Sequence, residues 1–285
     1  MVTLKAPAKL NLTLEVLGKR PDGFHEIRSI VQAINLCDSL SFGLNPGIEI
    51  QCDAPGWTAK KSLVSKAITL LQETSGCRQG VIIRLHKRIP LLSGLGGDSS
   101  DAAATLRGLN RLWGLNLPRW QLAELASQLG SDVTFFLFGG TTLIEGRGDV
   151  VTLLPSLPRM WAVLLIPPVS RAVGKTERLY VNLKASHYTE GQVTDELMTT
   201  ITSGHQVAPA KFFNVFEAVA DDAFSGLEQY RWRFLAAGAY QVRLAGSGPA
   251  LFSLVREKRR AEKIYKNLKQ ERLEAYLAET LSSLD

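Results

Sequence analysis

The sequence contains few cysteines and no long apolar run. Only three of its 285 residues are cysteines, Cys37, Cys52 and Cys77, and no Cys-x-x-Cys pair occurs. This odd and scattered set argues against a disulfide framework and against a zinc site. No segment approaches the ~18 apolar residues of a membrane-spanning helix, and the first residues, MVTLKAPAKLNLTLEV, lack the apolar core of a signal peptide. We therefore expect a cytoplasmic protein that does not enter a membrane and that has no metal site built from its own side chains.

Two widespread nucleotide-binding patterns are also absent. The Walker A pattern G-x-x-x-x-G-K-[ST] does not occur in the sequence. The pair Gly94-x-Gly96 lacks the third glycine of a dinucleotide fingerprint and continues into two serines. A nucleotide site in this chain must therefore use a different loop.

Acidic residues are outnumbered, since 33 Lys and Arg against 27 Asp and Glu give a net charge of +6. A basic balance favours anionic partners, and nucleic acid, an acidic membrane and a multiply charged small substrate all fit it. The densest basic segment, Lys258–Arg272, also contains Glu262 and Glu271 and lacks the row of aromatic side chains of a stacking platform. Interleaved charge is typical of a solvated helix face. We therefore expect no nucleic-acid binding.

Strand and helix patterns alternate irregularly along the chain, which favours an α+β fold over a doubly wound sheet. Residues 3–17 are predicted as strands broken at Pro7. The length suits two domains. The prolines of Pro155–Pro158 mark the predicted boundary between domains 1–155 and 156–285.

A glycine-rich segment, Pro90–Ala104 (PLLSGLGGDSSDAAA), leads into a predicted helix, Ser99–Trp113, whose N-cap we expect at Ser99 or Ser100. Glycines let the backbone approach a ligand, and the free N–H groups of a helix N-terminus bind anions. The segment therefore predicts a phosphate-binding loop, although a flexible loop that only caps the helix is the alternative. The predicted phosphate-binding residues are Pro90, Leu91, Leu92, Ser93, Gly94, Leu95, Gly96, Gly97, Asp98, Ser99 and Ser100.

The string P-x-x-x-G-L-G, followed by S-S-x-A-A, resembles the signature of the GHMP kinase superfamily. Four further segments match it in order, and they are Ala6–Leu12 (APAKLNL), Arg20–Glu26 (RPDGFHE), Gly130–Val133 (GSDV) and Ala245–Pro249 (AGSGP). The resemblance extends from about Lys5 to the end of the chain. It implies ATP as the phosphoryl donor, an N-terminal ribosomal-S5-domain-2-like domain that carries the loop, and a C-terminal ferredoxin-like domain. The site should lie in the cleft between the two domains.

Within the superfamily, the segments resemble the branch that phosphorylates the 2-hydroxyl of 4-diphosphocytidyl-2-C-methyl-D-erythritol, in the non-mevalonate isoprenoid pathway. A kinase of the homoserine or mevalonate type is the alternative. Asn11 and Phe24-His25 argue against it, because those substrates have no base to stack. The resemblance also implies Mg²⁺ held mainly through phosphates. We expect a monomer or a weak homodimer.

The same resemblance implies that Lys9 and Asp132 are the catalytic residues. Asp132 would orient or deprotonate the acceptor hydroxyl, and Lys9 would pair with it and face the phosphate. From the residues alone, Asp132 could equally be a helix N-cap after Gly130, and Lys9 a solvated strand residue.

The substrate contacts that the resemblance implies come from three segments. Asn11 and His25 would read the cytidine end, since their side chains can pair donors with acceptors. Phe24 would stack on cytosine, with Tyr180 as the second stacking face. The residues Gly246, Ser247 and Gly248 would form a second backbone nest for the substrate. From the residues alone, Phe24 could be a core aromatic and the glycine segment a turn.

Two positions depart from the superfamily pattern. Asp98 stands where a glycine is common, and a carboxylate beside a triphosphate is unfavourable unless it points outward or helps to hold Mg²⁺. Ser62 stands where the family often has an asparagine that contacts adenine, and a serine lacks that amide.

Overall fold

The computed structural model describes residues 1–171 and 174–284. Within these ranges the chain forms two β-sheets and nine α-helices, which confirms the predicted α+β class. The strands are β1 Val2–Asn11, β2 Thr13–Lys19, β3 His25–Asn45, β4 Ile48–Cys52, β5 Gly80–His86, β6 Thr141–Gly146, β7 Val150–Leu153, β8 Trp161–Ile166, β9 Phe213–Asn214, β10 Arg243–Leu244, β11 Leu251–Val255 and β12 Glu274–Glu279. The helices are α1 Leu63–Ser75, α2 Gly97–Leu112, α3 Arg119–Leu129, α4 Ser131–Phe138, α5 Lys175–Asn182, α6 Gln192–Thr202, α7 Ala220–Ala223, α8 Leu227–Ala236 and α9 Lys258–Gln270.

The long strand β3 organises the first sheet, which has eight strands. It pairs antiparallel with β1, β2, β5 and β6. The strand β4 joins β5 in parallel, and β7 extends the sheet from β6. In this register Lys9 lies opposite Ala33 and Asn11 opposite Val31. The end of β1 is therefore held beside the first half of β3.

Pro7 does not break β1, so that part of the sequence prediction is wrong. The strand runs from Val2 to Asn11, and its pairing with β3 shifts register between Pro7 and Ala8. Proline cannot donate a backbone hydrogen bond, and a bulge is a position where a strand tolerates this. The irregularity that the proline predicted is thus a register shift inside one strand.

The second sheet has the order β10-β11-β8-β12, and all of its pairs are antiparallel. The connection from β8 to β10 passes through the helices α5 to α8, and α9 connects β11 to β12. Two helical connections around a central hairpin are the ferredoxin-like arrangement that the resemblance implied. The helix α9 packs against this sheet through its buried residues Ala261, Ile264 and Leu268.

One hydrophobic cluster joins the two sheets. It contains Leu10 and Ile30 from the first sheet together with Leu164 and Phe252 from the second, and all four are buried. The segment 154–160 separates β7 from β8. Two later segments return to the first sheet, because β9 pairs in parallel with β2 and the backbone N–H of Leu281 donates to Ala33 O at 2.9 Å.

Candidate active site

A cavity of about 1320 Å³ is lined by residues from both halves of the chain. The ends of several elements meet there: the end of β1, the start of β3, the loop before α2, the first turn of α4, the first turn of α5 and the loop between β10 and β11. Element ends carry backbone groups without regular partners. The cavity therefore combines polar side chains with free backbone donors.

The end of β1 directs Lys9 and Asn11 into this cavity, since residues two apart in a strand share a face. Lys9 Nζ donates to Asn11 Oδ1 at 2.8 Å and lies 3.2 Å from Asp132 Oδ2. Asn11 Nδ2 in turn donates to Ser29 Oγ of β3 at 2.8 Å. The side chains of Lys9, Asn11 and Ser29 are buried, whereas that of Asp132 is 48% exposed. A buried ammonium is thus held from the protein side, and its carboxylate partner faces the cavity.

Asp132 lies inside the first turn of α4 and is not its N-cap. The cap is Gly130, and the helix begins at Ser131. The positive end of a helix stabilises a carboxylate in its first turn. Asp132 therefore has two favourable charge partners, the helix N-terminus and the Lys9 ammonium.

The predicted phosphate loop leads into α2, but the helix begins two residues before the expected cap. Its N-cap is Gly96, with φ 75°, and Gly97 is its first residue. The first intrahelical hydrogen bond runs from Ser100 N to Gly96 O at 2.9 Å. The N–H groups that precede it have no intrahelical acceptor, and Gly97, Asp98 and Ser99 line the cavity. This end of α2 can therefore bind an anion.

Gly94 allows the phosphate loop to contact the loop between β10 and β11. Its φ is 90°, and a Cβ at this position would lie 2.1 Å from Ala245 O. Beside it, Ala250 N donates to Ser93 O at 3.0 Å. The backbone of β1 holds the other side of the loop, since Lys9 N donates to Leu95 O at 2.9 Å. The loop is thus held between both halves of the chain.

A buried ion network lies behind the loop. Lys87 Nζ is 2.5 Å from Asp38 Oδ2 and 2.6 Å from Asp101 Oδ2. Burial raises the pKa of Asp101 well above its usual range. Burial lowers the pKa of Lys87, but the charges of Asp101 and Asp38 outweigh it and raise that pKa above its ordinary value. The network ties β3, the residue after β5 and α2 together, and so positions the start of the loop.

Asp98 and Ser62 lie at the rim where α1 meets α2. Asp98 is exposed, and Leu63 N donates to its Oδ2 at 3.4 Å. Ser62 Oγ caps α1 by accepting from Ser65 N at 3.2 Å and donates to Ala59 O at 2.9 Å. The serine that replaces the family's asparagine thus serves as a helix cap.

The loop between β10 and β11 brings Gly246 close to the Lys9 ammonium. A Cβ at Gly246 would lie 3.4 Å from Lys9 Nζ and 3.3 Å from Asn11 Oδ1. Asn214 Nδ2 holds the loop from below by donating to Leu244 O at 2.9 Å and to Gly246 O at 2.8 Å. The loop backbone is therefore a wall of the cavity beside Lys9.

A stack of aromatic rings forms another part of the cavity wall. The rings of His25 and Tyr180 are parallel to within 16°, with centroids 4.6 Å apart, and Tyr188 meets His25 edge-on at 6.2 Å. Burial lowers the pKa of His25, and burial together with the charge of Asp132 raises the pKa of Tyr180. Phe24 is separate from this stack. Its side chain is 53% exposed and lies 5.1 Å from the Arg147 guanidinium carbon.

Most of the predicted site residues meet in this cavity. All predicted catalytic and substrate residues line it except Gly248, and so does the phosphate loop except Leu95 and Ser100. Leu95 is buried in the hydrophobic core, and Ser100 is buried with no hydrogen-bond partner for its hydroxyl among the described residues. Sequence reasoning missed Lys175 and Asn214. Neither belongs to a motif, so no local signal marks them.

Two family models match the chain. Residues 62–140 match the GHMP kinases N terminal domain, and residues 197–275 match the GHMP kinases C terminal domain. Together they cover more than half of the chain. The chain belongs to the GHMP kinases. It is therefore an ATP-dependent small-molecule phosphotransferase.

Individual GHMP kinases resemble the chain over its full length. The 4-diphosphocytidyl-2-C-methyl-D-erythritol kinase of Dehalococcoides mccartyi is 54% identical, over 100% of both chains. The enzyme of that name from Geobacillus thermodenitrificans is 38% identical, over 94% of this chain and 93% of its own. A crystal structure of 4-(cytidine 5'-diphospho)-2C-methyl-D-erythritol kinase has a TM-score of 0.82 at 30% identity, over 98% of this chain and 99% of its own.

A solved structure at lower identity shares the fold. A homoserine kinase from Cytophaga hutchinsonii has a TM-score of 0.78 at 21% identity, over 100% of this chain and 95% of its own. Across residues 1–171 and 174–284, no helix is both long and apolar enough to cross a membrane.

Proposed function

We propose that the chain transfers the γ-phosphoryl group of ATP to the 2-hydroxyl of 4-diphosphocytidyl-2-C-methyl-D-erythritol. The observation that carries the proposal is one cavity in which the Lys9–Asp132 pair adjoins the glycine loop before α2 and shares the space with the His25–Tyr180 ring stack. A phosphate site, a hydroxyl-activating pair and a surface for a planar base are what such a reaction requires. A full-length relative at 54% identity carries the name of this activity.

Asp132 and Lys9 have complementary roles in this proposal. Asp132 accepts the proton of the acceptor hydroxyl, since its carboxylate is the exposed member of the pair. Lys9 pairs with that carboxylate and offsets the negative charge on the phosphoryl group as it is transferred. Asn11 holds Lys9 in position through the 2.8 Å hydrogen bond. Its predicted contact with the cytidine end stays a prediction.

The loop residues from Pro90 to Ser99 bind the triphosphate of ATP, with the backbone N–H groups at the start of α2 as donors. The oxygen atoms of Asp98 and Ser99 are the kind of ligand that Mg²⁺ prefers, and both residues line the cavity. No group of three His, Cys, Asp or Glu side chains in the described ranges could hold a metal ion. This donor set fits an ion held mainly by the phosphates. When bound, Mg²⁺ neutralises charge on the transferring phosphates.

The cytidine end of the substrate occupies the aromatic side of the cavity. Tyr180 backs the His25 ring, and its predicted role as a stacking face for the base stays a prediction. Burial lowers the pKa of His25, which favours the neutral ring, in which one nitrogen donates and the other accepts. Phe24 covers the base from the exposed rim. The backbone of Gly246 and Ser247 contacts the part of the substrate between the base and Lys9.

The proposed enzyme has two domains. The first sheet and its helices form domain 1–155, and the second sheet forms domain 156–285. The strand β9 lies in the second domain along the chain but pairs with β2 of the first. The enzyme works as a monomer or a weak homodimer and does not bind nucleic acid. Its three cysteines are all free, which suits the reducing cytoplasm.

The test is a coupled assay of ADP release with the cytidyl substrate, homoserine and mevalonate offered separately. We expect turnover with the cytidyl substrate alone. Turnover of homoserine or mevalonate without turnover of the cytidyl substrate would overturn the proposal. A steep, salt-dependent gel shift with RNA would contradict the absence of nucleic-acid binding.

A further inference from the structure

Lys175, the first residue of α5, is a buried cation with only neutral partners among the described residues. Its side chain is 9% exposed, and Nζ donates to Ser247 O and Ser247 Oγ, each at 3.2 Å, and to Gly248 O. The ring of Phe224 lies 5.9 Å from the ammonium. In the described parts of the chain, no carboxylate lies within ion-pair distance of it. Lys9, by contrast, has Asp132.

A buried ammonium without a counter-ion is unfavourable. Burial, with the charges of Lys9 and Arg171, lowers the pKa of Lys175 to about 7. Of these two cations, Lys9 is paired with Asp132 and Arg171 lies 3.6 Å from Glu274. Of these three cations in the described chain, Lys175 is the one without a carboxylate partner, and an anionic ligand would supply a counter-ion.

The position of Lys175 indicates which anion this is. Lys175 and Tyr180 lie on the same helix, five residues apart, a separation of about 7.5 Å along the axis. Both residues line the cavity, so a cytidine diphosphate whose base lies beside the His25–Tyr180 ring stack can extend its diphosphate toward the start of α5. Thr176 Oγ1, which donates to Ser247 Oγ at 2.8 Å, lines the cavity beside Lys175. The helix N-terminus at the same place adds a positive field.

We propose that Lys175 binds the diphosphate of the cytidyl substrate, together with the backbone of the loop at Gly246–Gly248 that it holds. This inference rests on the proposed function and names the group that recognises one part of its substrate. An ammonium has three N–H donors, so Lys175 contacts the diphosphate by exchanging its Ser247 Oγ acceptor for a phosphate oxygen, while it keeps the Ser247 and Gly248 carbonyls turned toward itself. ATP, bound at the start of α2, is not its ligand.

A pH dependence follows from this arrangement. Near pH 8 much of the free enzyme has neutral Lys175, whereas the diphosphate-bound enzyme has the ammonium. Binding of CDP should therefore take up about one proton per ligand near pH 8. Affinity for CDP should fall as the pH rises above 7, because deprotonation then competes with binding.

The test measures binding of CDP, cytidine and a non-hydrolysable ATP analogue to the full-length enzyme by calorimetry. In Lys175→Met we expect CDP affinity to fall about 10- to 100-fold, as for the loss of a charged hydrogen bond. Affinities for cytidine and for the ATP analogue should stay within about twofold, and Lys175→Arg should recover part of the CDP affinity. Arg178→Met is the matched control, because Arg178 is an exposed cation on the same helix, and it should leave CDP affinity unchanged.

Three outcomes of the variant would overturn the inference: unchanged CDP affinity, an equal loss for CDP and cytidine, or a loss for the ATP analogue instead of CDP. If Lys175→Met does not fold, calorimetry of the wild-type enzyme at pH 8 in two buffers of different ionisation enthalpy decides, and a proton uptake near zero overturns it. Failure of the proposed function would be distinct. In that case the wild-type enzyme would neither bind CDP nor turn over the cytidyl substrate, and this inference would fall with it.

Discussion

Lys9 and Asp132 form an ion pair, 3.2 Å between Nζ and Oδ2, in which the lysine side chain is 6% exposed and the aspartate side chain 48%. The lysine is held from behind by Asn11, and the aspartate projects from the first turn of α4. A ligand that enters the cavity therefore meets the carboxylate. The exposed carboxylate is therefore the member of the pair whose substitution tests proton transfer.

Substitution of Asp132 by Asn tests the proton acceptor. An amide keeps the shape of the side chain but accepts a proton poorly, so kcat should fall by about 10²- to 10⁴-fold. The Michaelis constant for ATP should change little, because the phosphate loop is untouched. Steady-state kinetics checks this, with Asp222→Asn, an exposed carboxylate of α7, as the control. An unchanged kcat would remove Asp132 from the mechanism.

Substitution of Phe24 by Ala tests base stacking. Phe24 is 53% exposed, so its loss should not disturb the core. If the ring covers the cytosine, KM for the cytidyl substrate should rise by the equivalent of about 1–3 kcal/mol, with kcat nearly constant. Tyr240→Ala, at an 86% exposed position, is the control and should have no effect. An unaltered KM would leave Phe24 with its Arg147 contact as its only role.

Substitution of Gly94 by Ala tests the contact between the two glycine loops. The added Cβ would lie 2.1 Å from Ala245 O, and the φ of 90° is strained for any residue with a Cβ. We expect weaker ATP binding and a lower free energy of unfolding. Gly76→Ala is a matched control, since Gly76 also has positive φ, 68°, but has open space around it. Its cost should be about 1–2 kcal/mol of strain, with ATP binding intact. Equal effects on ATP affinity in both variants would contradict the role of the loop contact.

Substitution of Lys87 by Met tests the buried network. It would leave Asp38 and Asp101 without their cation, at a cost of about 3–5 kcal/mol in the free energy of unfolding. The raised pKa of Lys87 means that this stabilisation is complete below the unfolded-state pKa of about 10.4 and is lost as the pH rises through the folded-state value. The stability difference from wild type in urea titrations should thus be present at neutral pH and shrink in strong alkali. Lys5→Met, an exposed lysine of β1, is the control. A difference below 1 kcal/mol at neutral pH would contradict the role of the network.

The sequence by itself determined the α+β class, the glycine-rich loop before α2 and, through its resemblance to the GHMP kinases, most of the predicted residues that meet in the cavity. These features depend on neighbours along the chain: glycines before a helix, alternation in a strand, a run of motif residues. Local signals also misled at two points. Pro7 reads as a strand break, but pairing with β3 absorbs it as a register shift. Ser99 reads as a helix cap, but the N-cap is Gly96, three residues earlier, with φ 75°.

The tertiary structure alone decided which charges are buried and what faces them. Lys87 meets Asp38, 49 residues away, and Lys175 meets Ser247, 72 residues away. Neither pair has a spacing or a composition that marks it, because each forms only when separate elements pack. Burial changes the free energy of a charge by far more than any local propensity does. The buried ammonium at Lys175, with its carbonyl partners, was therefore decided by the way the second half of the chain folds against the first.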